Sequence, residues 1–153
     1  MSADPKAWIL CGIPGSGKTT LAKKLSKKHN AHVISGDDIS DELFGRDLGG
    51  KSWGPIWDKL VDLVEENCHR DIIIDGVHAS RGYRAETLTL LESYGYRNIE
   101  LIVIDCTLEK ALRQNAQRDR NVEEWVIRAM HKELQKDLET VCAEGFLKVM
   151  FLR

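Results

Sequence analysis

Cys11-Gly12-Ile13-Pro14-Gly15-Ser16-Gly17-Lys18-Thr19-Thr20 fills the pattern G-x-x-x-x-G-K-[ST] from Gly12 to Thr19. That pattern works between a strand and a helix, and both are legible. Ala7-Trp8-Ile9-Leu10-Cys11 is an apolar run of strand length, and Leu21 and Leu25 among lysines suit a helix that begins inside the loop. The stretch 12–19 therefore reads as a phosphate-binding loop, with Thr20 on its helical side. Gly12, Gly15 and Gly17 permit positive φ and leave bare backbone, so that N–H groups can converge on a phosphate at the positive end of the following helix. Lys18 supplies a point charge for the outer phosphates. The Thr19 hydroxyl is placed to ligate Mg²⁺, a hard ion that prefers oxygen. The bland reading is a glycine-rich turn that holds nothing. Eight matched positions in the right local context argue against it.

The 153 residues fit one domain, residues 1–153, and 42% apolar content supplies a sizeable core. Lys and Arg total 22 against 24 Asp and Glu, a net charge of −2 that gives no whole-molecule attraction for nucleic acid or acidic membrane. Cys11, Cys68, Cys106 and Cys142 form no C-x-x-C pair, which suits reduced cysteines in a cytoplasmic protein. The start of the chain is polar and the longest apolar runs are strand-length, so neither a signal peptide nor a membrane contact is expected.

Past the first helix, Ala31-His32-Val33-Ile34-Ser35 reads as a strand ending in Gly36-Asp37-Asp38. Phe44 to Gly54 reads as a glycine-rich loop. Pro55 opens a helix with Trp57, Leu60, Val61, Val64 and Cys68 at helical spacing. Asp71-Ile72-Ile73-Ile74-Asp75 is an unalternating run, as expected of a parallel strand covered on both faces. Ser80 caps a helix over Arg81 to about Tyr94, closed by Gly95. Ile99 to Asp105 is a strand, and Thr107 caps the next helix. A long amphipathic helix carries Val122, Trp125, Val126, Ala129, Met130, Leu134 and Leu138 as a packing stripe; Gly145 ends it before a last strand. Strands alternating with helices predict an α/β, three-layer fold: a parallel sheet of four to five strands flanked by helices.

Polar groups collect where strands end, the edge at which open α/β sheets bind ligands. Asp37, Asp75 and Asp105 follow three strands, and Arg113, Arg118 and Arg120 follow the fourth. Such a set suits phosphoryl transfer: cradled phosphates with Mg²⁺, arginines for transition-state charge, and a carboxylate to take a hydroxyl proton. Asp37 is the candidate base and Asp38 the candidate helix cap. Asp75 either holds a water of the Mg²⁺ shell, braces an arginine at the substrate, or is satisfied by backbone N–H groups. Asp105 reads as structural and His78 as a hydrogen-bonded core or edge histidine. The arginine run is either a solvated face or a short lid over about 113–124.

Several ordered pieces resemble the P-loop polynucleotide 5′-hydroxyl kinases and the zeta-toxin-like small kinases. They are Gly12 to Thr19; Ser35-Gly36-Asp37-Asp38-Ile39 with Glu42-Leu43-Phe44-Gly45; Ile73-Ile74-Asp75 with Arg81 and Arg84; Leu112-Arg113-Gln114-Asn115-Ala116-Gln117-Arg118; and Glu144-Gly145-Phe146. The resemblance implies a three-layer P-loop NTPase fold with an arginine-bearing lid. It further implies transfer of the γ-phosphate of ATP to a hydroxyl, with Lys18 and Thr19 on phosphates and Mg²⁺, Asp37 as base, and Arg113 and Arg118 at the nucleotide. An arginine that grips the acceptor's 3′-phosphate would fall at Ser40, leaving Arg46, Arg81 and Arg84 to replace it. The usual Asp-x-Thr-Asn stands here as Asp75-Gly76-Val77-His78. The expected acceptor is the 5′-hydroxyl of a polynucleotide or oligonucleotide. The alternatives are a small metabolite, nucleoside or nucleotide, or a nucleotide-dependent binding switch without turnover.

Overall fold

The structure, a computed structural model, describes residues 4–45, 53–119 and 121–153. Five parallel strands form one sheet: β1 (Lys6–Cys11), β2 (His32–Ser35), β3 (Ile72–Asp75), β4 (Asn98–Ile104) and β5 (Lys148–Leu152), in the order β2-β3-β1-β4-β5. Between them run α1 (Lys18–His29), α2 (Gly36–Phe44), α3 (Trp53–Asn67), α4 (Arg81–Ser93), α5 (Leu108–Ala116) and α6 (Glu124–Asp137), with a 3₁₀ turn at Val141–Ala143.

Side-chain alternation sorts the helices onto two faces. Trp8, Leu10, Ile73 and Ile102 point to one side, where Leu21, Ala22 and Leu25 of α1 cover them. Ile9, Ile72, Ile74, Leu101 and Val103 point to the other, against α3, α4 and α6. Ile72, Ile73 and Ile74 are all 0% exposed, which explains the unbroken β-branched run. Each such side chain contributes about 1.5–3 kcal/mol of burial.

This topology makes the site. From β1 the chain crosses over α1 to β2, whereas from β3 it crosses over α4 to β4 on the far side of β1. β1 and β3 are neighbours, with Leu10 opposite Asp75. Their carboxyl ends therefore flank the point where the winding reverses, the crevice in which such sheets bind ligands.

Local signals account for most element ends. Ser80 caps α4 by accepting from the Tyr83 N–H at 3.1 Å, and Thr107 caps α5 from the Lys110 N–H at 3.2 Å. Two expectations are corrected. Ser35, not Asp38, caps α2, because the Ser35 hydroxyl already accepts the Asp38 N–H; Asp37 and Asp38 lie in the first turn instead, where their charge suits the helix dipole. The last long helix stops at Asp137, and the 3₁₀ turn intervenes before Gly145. Of the expected loop from Phe44 to Gly54, positions 46–52 lie outside the described residues.

Candidate active site

The phosphate loop takes its shape from two glycines and one steric limit. Gly15 (φ +85) and Gly17 (φ +98) hold the left-handed conformation that L side chains resist. A Cβ on Gly15 would also lie 2.3 Å from the Ala111 carbonyl oxygen, so the loop rests directly on the backbone of α5. Gly12 does not use its freedom to take positive φ; a Cβ there would sit 2.7 Å from the Ser16 Oγ and 3.3 Å from the Ile104 Cβ, so a side chain would crowd both. Gly12, Ile13 and Ser16 are buried beneath the loop, while Pro14, Gly15, Gly17, Lys18, Thr19 and Thr20 line a cleft of about 1300 Å³. No side chain caps α1 at Gly17, in contrast to α2, α4 and α5, so its first-turn N–H groups face the cleft.

Lys18 lies across this loop, its Nζ donating to the Ile13 carbonyl at 3.2 Å. Desolvation lowers the pKa of its ammonium, Asp75 and Asp37 oppose that shift, and nearby Arg118 adds to it. Asp75, 8% exposed at the end of β3, shows the reciprocal effect: burial raises its carboxyl, Lys18 pulls it back and Asp37 pushes it further up. Lys18, Asp37, Asp75 and Arg118 are thus electrostatic neighbours in one cleft. The hydroxyl of Thr19 and the carboxylate of Asp75 offer hard oxygen donors that fit Mg²⁺.

The arginine-bearing segment after α5 is held at its root. Asn115 at the end of α5 donates Nδ2–H to the Val122 carbonyl at 2.8 Å and accepts the Val122 N–H at 3.0 Å. This clamp fixes the loop that carries Arg118 into the cleft. Arg113 is exposed on α5 and does not line the cleft, and Arg120, like Arg46, lies outside the described residues.

Of the expected acceptor arginines, Arg84 is corrected by burial. Arg84 is 0% exposed. Its Nε and Nη2 donate to Glu144 at 2.8 Å each, Nη2 also to Asp137 at 2.8 Å, and Nη1 to the carbonyls of His78 and Ala79 at 2.9 and 3.1 Å. Burial alone would lower its pKa, but Glu144 and Asp137 hold it above the ordinary value. Arg84 is a permanent internal cation that ties α4 to α6 and cannot turn toward substrate. Arg81 is exposed at the start of α4, outside the cleft lining. Ser40, where the resembled kinases would carry an arginine, is 3% exposed and faces the interior.

His78 meets its expectation as a core histidine. Nδ1–H donates to the Leu10 carbonyl at 2.8 Å, and Nε2 accepts from the Thr87 hydroxyl at 3.1 Å, since a carbonyl only accepts. Complete burial lowers its pKa to about 4. Asp105 is likewise structural, bonded to Gln135 and Arg153. Among the described residues no cluster of three or more His, Cys, Asp or Glu has metal-site geometry.

Sequence reasoning missed the far wall of the cleft. Trp53 and Tyr83 meet edge to face at 5.0 Å, and Tyr83 stacks on His78 at 4.0 Å. From α6 come Trp125, Val126 and Met130, which the helical stripe had assigned to packing; Trp125 is 67% exposed. Glu86 and Glu133 complete the wall. A 3.6-residue period marks an apolar face but not whether protein or ligand covers it.

A family model described as an AAA domain matches residues 8–138, most of the chain. The chain belongs to this family. Among curated relatives, an adenylate kinase from Bartonella tribocorum is 27% identical over 124 residues, covering 72% of this chain and 64% of that one. The chain spans less than two thirds of the length of the curated relatives it matches. In solved structures, a chain of the Pnkp1/Rnl/Hen1 RNA repair complex superposes with a TM-score of 0.79 at 23% identity, over 91% of this chain and 47% of that one. A gluconokinase from Sinorhizobium meliloti gives 0.66 at 12% identity, over 98% and 83%. The fold is thus the P-loop kinase-like α/β fold, and no helix among the described residues is long and apolar enough to cross a membrane.

Proposed function

We propose that this chain is an ATP-dependent phosphotransferase acting on a hydroxyl acceptor, with Asp37 as general base. The observation that carries the reading is the gathering of Lys18, Thr19, Asp37, Asp75 and Arg118 in one cleft with the uncapped start of α1. The loop amides and Lys18 hold the β- and γ-phosphates of ATP, and Arg118 approaches them from the lid. Thr19, with Asp75 through a water, would hold Mg²⁺, which would supply charge neutralisation for the transferring phosphate. Asp37 accepts the proton of the acceptor hydroxyl as its oxygen bonds to the γ-phosphorus. The bond from that phosphorus to the β–γ bridging oxygen breaks, and ADP leaves with the electron pair.

The acceptor is a small hydroxylated molecule. Ser40 is buried and Arg84 is fully engaged, so neither offers an acceptor-phosphate grip. The polynucleotide 5′-hydroxyl reading keeps support from the likeness to the RNA repair chain. Transfer from γ-labelled ATP to a mixed panel of small hydroxyl compounds and 5′-hydroxyl oligonucleotides, with wild type and Asp37→Asn, tests the reading. Asp37→Asn should keep ATP affinity and lower transfer by about 10²–10⁴. Equal loss of both would identify Asp37 as structural or metal-binding, and ATP binding without transfer to any acceptor would favour a switch.

A further inference from the structure

The carboxylates of the cleft outnumber its described cations. Asp37, Asp75, Glu86, Glu123 and Glu133 line it, against Lys18 and Arg118. In the proposed mechanism those two cations belong to the donor phosphates and Asp75 to Mg²⁺, and among the described residues no further Lys or Arg lines the cleft for the acceptor. The Tyr83 hydroxyl reads the same field: burial raises its pKa first, and the charges that add to this are the carboxylates of Asp37, Asp75 and Glu86. An anionic acceptor placed here meets like charge in a partly desolvated cleft, an arrangement that interfaces use to reject wrong partners.

The apolar part of the wall is aromatic and rigid. Trp53, 46% exposed, is braced by Tyr83 and by Trp57 at 6.1 Å, and Tyr83 is fixed by its stack on buried His78. Gly76 leaves room for this stack, because a Cβ there would lie 3.0 Å from both the Tyr83 hydroxyl and the His78 ring. An exposed indole held in place in the same cleft as the candidate base suits a flat apolar surface on a ligand.

We propose that the acceptor is a non-anionic hydroxyl compound, uncharged or carrying an amine, whose flat apolar face packs on Trp53. Its reacting hydroxyl is presented to Asp37, and its remaining hydroxyl or amine groups are taken by Glu86 and Glu133. The proposal rests on the kinase reading above and keeps its bond changes. Unphosphorylated nucleosides and amino sugars share this chemistry.

The test uses matched pairs with γ-labelled ATP: nucleosides against their own monophosphates, amino sugars against sugar acids, and a 5′-hydroxyl oligonucleotide. The neutral or cationic member of a pair should be used with a kcat/KM at least about tenfold higher, and which pair responds distinguishes nucleoside from sugar. Trp53→Ala should raise the acceptor KM at least about fivefold and leave the KM for ATP unchanged, whereas Trp53→Phe restores most of the loss. Glu86→Gln with Glu133→Gln should narrow the discrimination against the anionic member. Preference for an anionic acceptor, or an acceptor KM indifferent to Trp53→Ala in a folded variant, overturns the proposal and leaves the kinase reading standing. ATP binding without transfer to any member overturns the kinase reading, and this proposal with it.

Discussion

Replacing His78 by Asn should flatten the acid side of the stability curve. His78 is fully buried, and its pKa falls from 6.5 to about 4 on folding. Between those values the unfolded chain holds a proton that the folded chain does not, so stability rises with pH through the window and is complete above about pH 6.5. At roughly 1.4 kcal/mol per unit, a fall of this size amounts to about 3 kcal/mol once the pH is below the window, of which about 2 kcal/mol is lost by pH 5. Asp75 acts in the opposite sense, because its raised carboxyl favours the protonated folded state as pH falls. A comparison of two proteins that share Asp75 therefore isolates His78. Asn suits the exchange: it tolerates the left-handed backbone at φ 48, and its amide can donate to the Leu10 carbonyl as the imidazole does. Urea unfolding of both proteins at about pH 7.5 and pH 5 makes the measurement. Wild type should lose about 2 kcal/mol more than the variant between the two conditions. Parallel losses, within about 0.5 kcal/mol, would refute the assignment of a neutral buried imidazole.

Arg84→Leu leaves Glu144 and Asp137 as buried carboxylates without their cation and should cost about 3–5 kcal/mol, a fall in Tm of about 6–20 °C, while adding Glu144→Leu recovers part of it. A calorimetric shift below about 1 kcal/mol would contradict the network. Gly15→Ala puts a Cβ 2.3 Å from the Ala111 carbonyl at φ +85 and should abolish tight ATP binding and destabilise the fold, whereas Gly54→Ala meets nothing within 4 Å and should be neutral or stabilising. Equal behaviour of the two variants in nucleotide titration and thermal melting would sink the account of the loop.

Features decided within a few residues were legible in the sequence. The phosphate loop, the Ser80 and Thr107 caps, the buried β3 run and the turn at Gly95 all follow from local backbone and side-chain chemistry. Features decided by distant partners were not. Nothing near Arg84 announces that Glu144 and Asp137 will enclose it, so an arginine placed suitably for substrate became an internal strut. Gly12 carries the same glycine signature as Gly15 and Gly17, yet it lacks their positive φ and is crowded by Ser16 within the loop and by Ile104 on the neighbouring strand. Trp125 kept helical period with true core positions and turned outward, because α6 packs through Ile127 and Leu134 instead. Asp37 and Asp75 were readable as strand-end acids, but the carboxylates that share their cleft lie on α4 and α6, which only the winding of the sheet brings together.

The Asn115–Val122 clamp limits how far Arg118 can move over a nucleotide in the proposed kinase. With α5 seated on Gly15 and the chain pinned again at Val122, Arg118 cannot swing on a long hinge without breaking both anchorages. Its approach and retreat are left to side-chain rotation and the short arc between the two pins. Such motions run on nanoseconds to microseconds, faster than the microsecond-to-millisecond closure of whole domains. Turnover in such a protein would be paced by chemistry or product escape, not by a slow gate.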